Sequence, residues 1–301
     1  MYRTAEHVTG KAAASPGFPL ELARIAHRRF AGGTQRIDDP FSVRHFSDLT
    51  GGHGVTYRRD IAERAAGNSF TTMAMDLLDS VILDGDPIEL AVVAHVTPDI
   101  DCRLAATTYL SHVLPGCALA FAVSDCGMAT PYTALRLAGA YARRHDYRRA
   151  LVLLVDQATL PYDVPGGTAP AGDAAIGILL ARGGPTGIGL QQLAGVRPAA
   201  VPTAVDGLLD AVAGPDEPIA VIAGAGIDPD RDLPERCEAV WCAPAGYPCT
   251  ATWEGLARHI GACAGGRVVL VDYDRTTGDL CACAVDRPWS TRPAPDVRDA
   301  A

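Results

Sequence analysis

The sequence contains an internal repeat, and a repeat restricts the fold more than any single motif does. Residues 87–99 read PIELAVVAHVTPD, and residues 218–230 read PIAVIAGAGIDPD. Both segments place a short apolar run between Pro-Ile and Pro-Asp, which is typical of a buried strand that leaves its sheet at a turn. The chain is therefore expected to contain two copies of one strand-rich unit.

Further elements follow each copy in the same order. A second apolar strand comes first, then a turn with Gly and Pro, a helix, another strand and a strand that looks antiparallel to it. Thr130 and Pro131 begin the first helix as a good cap and first-turn pair. In the first copy these four elements lie at 117–123, 130–144, 148–156 and 172–182, and in the second at 237–243, 251–263, 266–274 and 278–287.

A duplicated unit of this kind predicts two sheets packed back to back, with the two helices that follow the second strands lying between them. One alternative stays open, a single doubly wound sheet. Its halves would look alike only because strands and helices alternate in all α/β proteins. Residues 68–83 have the apolar spacing of an amphipathic helix, whereas residues 38–54 are polar, rich in Gly and expected to form an exposed loop.

Composition and charge narrow the classes of partner. The net charge is −9, and the basic residues are nearly all arginine and widely spread, so nucleic acid is not an expected partner. The longest apolar stretches are strand-sized and no secretory signal is visible, so we expect no membrane span and a cytoplasmic protein. The nine cysteines are expected to be thiols, and no C-x-x-C pair suggests a metal site.

Several segments, taken in order, resemble the ketoacyl-ACP synthase III enzymes and their acyltransferase relatives in the thiolase superfamily. They read GVTYRRDIAERAAGNSFTTMAMDLLD, IELAVVAHVTPD, FAVSDCGMATPYTALRLAGAYA, ALVLLVDQAT and GDAAIGILL. The resemblance implies an α/β thiolase fold, with duplicated halves in a five-layered αβαβα sandwich. The halves would span residues 1–183 and 184–289, and residues 290–301 would be a disordered tail.

The resemblance implies that Cys126, just before the first repeated helix, is a covalent nucleophile. In the family, a helix N-terminus at this place favours the thiolate, and a backbone N–H stabilises the oxyanion that forms. The register is not unique, because counting from Phe121 puts Gly127 in the cysteine slot and counting back from Ala134 puts Met128 there. Composition alone favours Cys126 being one more buried thiol in a turn, and only the resemblance supports its role as a nucleophile.

The second-half catalytic residues of the family have no counterpart here. Gly224 stands where the resemblance expects a histidine, and Tyr247 or Pro248 where it expects an asparagine. Decarboxylative condensation is therefore not expected. His95 is a possible base and Asp125 a possible orienting group, although a hydrogen-bonded strand-end histidine and a turn cap explain them as well.

Two functions are consistent with these residues. The first is an acyltransferase or atypical condensing enzyme of specialised biosynthesis, which loads an acyl group from CoA or acyl carrier protein onto Cys126. The second is a catalytically degenerate subunit that pairs with a competent ketosynthase-like partner and shapes its acyl tunnel. The resemblance implies no cofactor, with CoA or phosphopantetheine carrying the substrate, and a homodimer or heterodimer formed near residues 117–123. Cys249, before the second repeated helix, is an alternative nucleophile.

Overall fold

The computed structural model describes residues 17–82, 87–163, 169–184, 186–215, 217–261 and 266–286. Within them, the strands are β1 (Glu21–Phe30), β2 (Gln35–Arg36), β3 (Ala66–Gly67), β4 (Leu90–His95), β5 (Leu119–Val123), β6 (Arg149–Asp156), β7 (Asp173–Ala181), β8 (Ile188–Leu193), β9 (Ile219–Ala223), β10 (Cys237–Cys242), β11 (Arg267–Tyr273) and β12 (Leu280–Asp286). The helices are α1 (Pro40–Gly52), α2 (Arg59–Ala62), α3 (Phe70–Val81), α4 (Ala106–Val113), α5 (Thr130–His145), α6 (Val201–Ala213), α7 (Pro229–Asp232) and α8 (Ala251–His259).

Two five-stranded sheets have the same strand order. The first runs β1-β7-β6-β4-β5, and the second, read in the same direction, runs β8-β12-β11-β9-β10. In each sheet three neighbouring strands are parallel: β6, β4 and β5 in the first, and β11, β9 and β10 in the second. The remaining two strands each pair antiparallel with their neighbour, β7 with β6 and β1 with β7, and β12 with β11 and β8 with β12. The prediction of two repeated sheets is confirmed, and the alternative of one doubly wound sheet is wrong.

Helices α5 and α8 lie between the two sheets. Their buried side chains belong to one apolar core that also includes Val152 of β6 and Leu270 of β11, so the same helices contact both sheets. Tyr132 of α5 and Trp253 of α8 contact each other, with ring centroids 5.6 Å apart. Small buried residues such as Ala138 let the sheets approach α5 closely from both sides.

Outer helices complete the layers. Helices α3 and α4 cover the other face of the first sheet, where Leu77 and Leu110 pack in one core with Leu153. Helix α6 covers the outer face of the second sheet, with Leu209 in a core that includes Val269. The order of helix, sheet, helix, sheet and helix is the five-layered αβαβα sandwich that the resemblance implies.

The expectation of an exposed loop over residues 38–54 is wrong, because these residues form α1. Asp39 caps this helix by accepting hydrogen bonds from the N–H groups of Phe41 and Ser42, and Pro40 is its first residue. Phe46 is fully buried. The polar, Gly-rich composition obscured an Asp-Pro start, which is itself a helix N-terminal signal.

Three sequence predictions stay as predictions. The tail at 290–301 lies outside the described residues, as do the last residues of the helix expected at 251–263. The boundary between residues 183 and 184 is untested, although the large first sheet uses strands between 21 and 181 and the second uses strands between 188 and 286. None of the helices in the described part of the chain has the length and apolar character needed to cross a membrane.

Candidate active site

The candidate site lies where parallel strands of the first sheet end. Ala94 of β4 pairs with Val123 of β5. His95 is the last residue of β4, and Asp125 and Cys126 follow shortly after the end of β5. Functional side chains gather at this edge in α/β sheets, because the carboxyl ends of parallel strands meet there. The structure therefore brings the three predicted residues to one end of the same pair of strands.

Cys126 lies half-buried at the entry to helix α5. A 3-10 turn, Gly127–Ala129, separates it from the helix, and its thiol donates to the carbonyl oxygen of Ser124 at 3.4 Å. Among the described residues, no acceptor is found for the backbone N–H groups of Cys126 and Gly127. Two such N–H groups beside a thiol are suited to hold the oxygen of a tetrahedral intermediate.

His95 and Asp125 interact through charge. Nδ1 of His95 lies 2.8 Å from the carbonyl oxygen of Thr97, so Nδ1 carries the proton and Nε2 is left to accept one. Burial lowers the pKa of His95, while the hydrogen bond to Thr97 and the charge of Asp125 oppose that shift. Asp125 itself is exposed, with φ 64°, and its carboxylate accepts from the Ser124 hydroxyl at 2.9 Å.

Asp274 from the second half closes the turn that follows Cys126. Its Oδ2 accepts the N–H of Met128 at 3.3 Å, and its Oδ1 accepts the N–H of Thr276 at 2.8 Å. Gly127 has φ 52°, and a Cβ there would lie 2.5 Å from the same Oδ2. Under the register that puts Met128 in the cysteine slot, the N–H of that slot is therefore occupied by the protein's own carboxylate.

Asp272 fills the space in front of Gly224. A Cβ at Gly224 would lie 1.7 Å from Oδ1 of Asp272, so no side chain fits there as the chain is folded. Oδ2 of Asp272 accepts from the hydroxyls of Tyr132 at 2.7 Å and Thr252 at 2.8 Å, on the two central helices. Burial raises the pKa of Asp272 to about 6, and the two hydroxyl donors act in the opposite direction.

Asp156 is the first-half counterpart of Asp272, since the two strands contain the similar segments VLLVD and VVLVD. Asp156 accepts from the N–H groups of Cys249 and Thr250 and from the Thr250 hydroxyl, which fixes the start of α8. Burial raises its pKa to about 6. Burial and the nearby carboxylates also raise the pKa of Cys249 well above its usual value, which makes this thiol a poor nucleophile.

Tyr247, one of the two residues in the asparagine slot, packs against the first half. The guanidinium of Arg29 lies 4.5 Å from its ring centroid. A Cβ at Gly172 would lie 2.8 Å from its hydroxyl oxygen, so the absence of a side chain at Gly172 makes room for the ring. The slot therefore holds an aromatic ring fixed by β1 and by the segment before β7.

The sequence prediction missed the three aspartates of this site, Asp156, Asp272 and Asp274. Their signal is present, because VLLVD and VLVDYD end buried strands in acidic residues. Their partners lie 93, 140 and 146 residues away along the chain, at Cys249, Tyr132 and Met128. Among the described residues, no group of three or more His, Cys, Asp or Glu side chains is placed to hold a metal ion.

No protein-family model matches this sequence, and no match is found among curated proteins. Solved structures match it over most of its length. The acyltransferase ChlB3 is 16% identical and covers 91% of this chain and 100% of its own, with a TM-score of 0.56. The 3-oxoacyl-[acyl-carrier-protein] synthase III from Aquifex aeolicus is 11% identical and covers 89% and 99%, with a TM-score of 0.57. The tetronic acid condensing enzyme AbyA1 is 14% identical and covers 89% and 99%, with a TM-score of 0.58.

The chain has the thiolase fold. This follows from the two repeated sheets with a pair of helices between them and from the matching solved structures. Within that class its structural neighbours include synthase III, acyltransferase and condensing enzymes, the group that the sequence resembles. Identities of 11–16% show the fold alone, so the reaction has to be argued from the site.

Proposed function

We propose that the protein is an acyltransferase that takes an acyl group from CoA or an acyl carrier protein onto Cys126 and passes it to an acceptor in specialised biosynthesis. One observation carries this proposal. The half-buried thiol of Cys126 lies at the entry to the central helix α5, beside its own N–H and that of Gly127. The names of two structural neighbours, an acyltransferase and an acyl-carrier-protein synthase III, describe related chemistry.

The proposed first step is attack by the Cys126 thiolate on the carbonyl carbon of an acyl thioester. A C–S bond to Cys126 forms, and the N–H groups of Cys126 and Gly127 hold the oxyanion. The C–S bond to CoA or phosphopantetheine then breaks, and the carrier leaves as a thiol. In the second step a hydroxyl or amine of the acceptor attacks the Cys126 thioester, which transfers the acyl group and restores the thiol.

His95 is proposed as the base of the first step. Its imidazole is neutral at pH 7, because burial lowers its pKa, and Nε2 is the nitrogen able to take the thiol proton. The nearby negative charge of Asp125 favours the imidazolium that results. The proton then passes from His95 to the departing thiol of the carrier.

Condensation with a malonyl unit is not part of the proposal. An enolate formed by decarboxylation needs hydrogen-bond donors, and the loss of one such donor typically costs about 2.7–4 kcal/mol. Gly224 has no side chain to donate, and the buried carboxyl of Asp272 in front of it repels an enolate oxygen when ionised. Acyl transfer without carbon–carbon bond formation is the reaction that these residues support best.

We further propose a cytoplasmic dimer, either of two identical chains or with a ketosynthase-like partner. Strand β5 is the last strand of the first sheet and pairs with β4, and among the described strands none pairs with its other edge, which we propose as the partner's contact. CoA or phosphopantetheine would enter as the carrier of the substrate, and the proposal includes no resident cofactor.

Intact-protein mass spectrometry after incubation with a panel of acyl-CoA thioesters tests the proposal. We expect wild type to gain one acyl group and Cys126→Ala to gain none. Cys237→Ala is the matched control, because this half-buried thiol lies at the start of β10 and burial raises its pKa. Iodoacetamide at neutral pH should label Cys126 before the buried thiols of Cys249, Cys281 and Cys283, because burial raises the pKa of those three.

A second function, a catalytically degenerate subunit that shapes the acyl tunnel of a competent partner, is favoured by a different observation. The carboxylates of Asp272 and Asp274 lie in front of Gly224 and on the N–H of Met128, where catalytic groups would otherwise act. A folded protein whose Cys126 is neither acylated nor labelled, while other cysteines are modified, would contradict the first function and favour this one.

A further inference from the structure

Asp272 has one carboxylate oxygen that is hydrogen-bonded and one that is not. Oδ2 accepts from Tyr132 and Thr252, whereas no donor to Oδ1 is found in the described part of the chain. Oδ1 is directed at Gly224, whose missing side chain leaves room for it. Oδ1 therefore keeps acceptor capacity that the described part of the chain does not use.

Asp272 lies along the helix that Cys126 precedes. Asp272 lies in β11, and Asp274 directly follows Tyr273, the last residue of that strand. Asp274 accepts the N–H of Met128 in the turn after Cys126, and Asp272 accepts the hydroxyl of Tyr132 about one turn further along. The second half therefore places Asp272 in contact with Tyr132 in the first turn of α5, and its free oxygen faces Gly224.

We propose that Asp272 is the proton acceptor of the second step, in which an acceptor molecule attacks the Cys126 thioester; this inference rests on the proposed function. As the oxygen or nitrogen of the acceptor bonds to the acyl carbon, its proton moves to Oδ1 of Asp272 and the C–S bond to Cys126 breaks. The proton then passes from Asp272 to the Cys126 thiolate, so both groups return to their starting states. His95 serves the first step and Asp272 the second.

Among the groups that surround it, Asp272 is the one whose charge changes near neutral pH. Burial raises its pKa to about 6, so it is ionised at neutral pH and still basic enough to accept a proton. The titratable groups that face it are Tyr132 from α5, Cys249 from the turn before α8 and Cys281 from β12. Burial raises the pKa of all three, to about 12 for Cys281, so they are uncharged in this range.

The test uses the full-length protein acylated with octanoyl-CoA, with water as the probe acceptor, and follows the loss of the acyl mass at several pH values. We expect the deacylation rate of wild type to rise through a midpoint near the pKa of Asp272. Asp272→Asn should deacylate about 10²–10⁴-fold more slowly and lose that midpoint. Hydroxylamine needs no base, so it should release the acyl group from both proteins at the same rate.

Two further variants separate a chemical role from a structural one. Tyr132→Phe removes a donor to the charged carboxylate and so raises the pKa of Asp272, which should move the deacylation midpoint to higher pH. Asp232→Asn changes a different buried carboxyl, in α7 and outside the candidate site, and should leave the midpoint in place.

Failure of this inference differs from failure of the proposed function. Acylation of Cys126 followed by equal deacylation of wild type and Asp272→Asn at every pH would overturn the role of Asp272 alone. An unacylated Cys126 in wild type would overturn both. If Asp272→Asn does not fold, Tyr132→Phe decides, because an unmoved midpoint overturns the inference.

Discussion

At the scale of single residues, buried carboxyl groups set the pH dependence of stability. Burial raises the pKa of Asp99 to about 7 and those of Asp156 and Asp272 to about 6. In the unfolded chain an aspartate has a pKa near 3.9, so between about pH 4 and 7 the folded state binds more protons than the unfolded state. The free energy of unfolding therefore falls as the pH rises through this range.

Asp156→Asn tests the direction of this pH dependence of stability. In wild type, urea unfolding should give a lower free energy at pH 8 than at pH 5, and the variant should lose about 1.4 kcal/mol of that difference. Asp48→Asn, an exposed carboxylate on α1, is the control and should keep the wild-type difference. An unchanged pH dependence in Asp156→Asn would mean that this carboxyl is ionised in the folded protein over the whole range.

The sequence indicates part of the candidate site. Cys126 and His95 stay predictions that rest on the family resemblance and on the repeat, and Asp125 is a prediction because it adjoins Cys126. Asp272 of β11 contacts Tyr132 of α5, and Asp274, after β11, contacts Met128 in the turn before α5, across 140 and 146 residues of chain. No local pattern contains such a contact, so these two residues could be recognised only after the layers were assembled.

At the scale of elements, the turn between Cys126 and α5 depends on a glycine. Gly127 has φ 52°, and a Cβ there would lie 2.5 Å from Asp274 Oδ2. The N–H of Thr276 holds that carboxylate in place, so it cannot move away freely. We expect Gly127→Ala to lower the free energy of unfolding by more than about 1 kcal/mol, through backbone strain and loss of the bond to Met128.

Gly207→Ala is the matched control for that substitution. Gly207 is exposed in α6, and a Cβ there meets no atom within 4 Å. Alanine should therefore stabilise the helix by roughly 0.5–1 kcal/mol. Equal urea midpoints for Gly127→Ala and wild type would show that the turn accepts a side chain and that Asp274 does not close it.

The repeated elements were predictable, and two other elements were not. Buried strands such as β4 and β9 are continuous apolar runs, so sequence pattern alone locates them. Strand β1 reads ELARIAHRRF and is half-exposed, with Arg29 bonded to Glu254 of α8. Because β1 is polar, sequence pattern alone does not predict it as a sheet strand. In the same way, the polar composition of α1 does not predict a helix.

At the scale of the whole molecule, the repeat gives both sheets a similar outer edge. Strands β5 and β10 read LAFAV and CEAVWC, and each is the last strand of its sheet. Phe121 of β5 lies 5.2 Å from the ring of Tyr141 on α5, and Trp241 of β10 stacks on His259 of α8 at 4.4 Å. Each edge strand therefore carries an aromatic side chain that packs against a ring of a central helix.

A partner strand on the edge of β5 is the most specific prediction about assembly. Sedimentation velocity on the full chain should give twice the mass of one chain. Ala122→Arg should shift that mass toward the monomer, because Ala122 is exposed on this edge strand. In a two-fold contact the two new arginines would face each other as like charges. Met75→Arg places the same charge on the exposed outer face of α3 and should leave the dimer intact. A monomeric wild type at micromolar concentration would exclude a stable homodimer, and the edge would then be left for a different ketosynthase-like chain. Acylation of Cys126 measured on that monomer would show whether the site works without a partner.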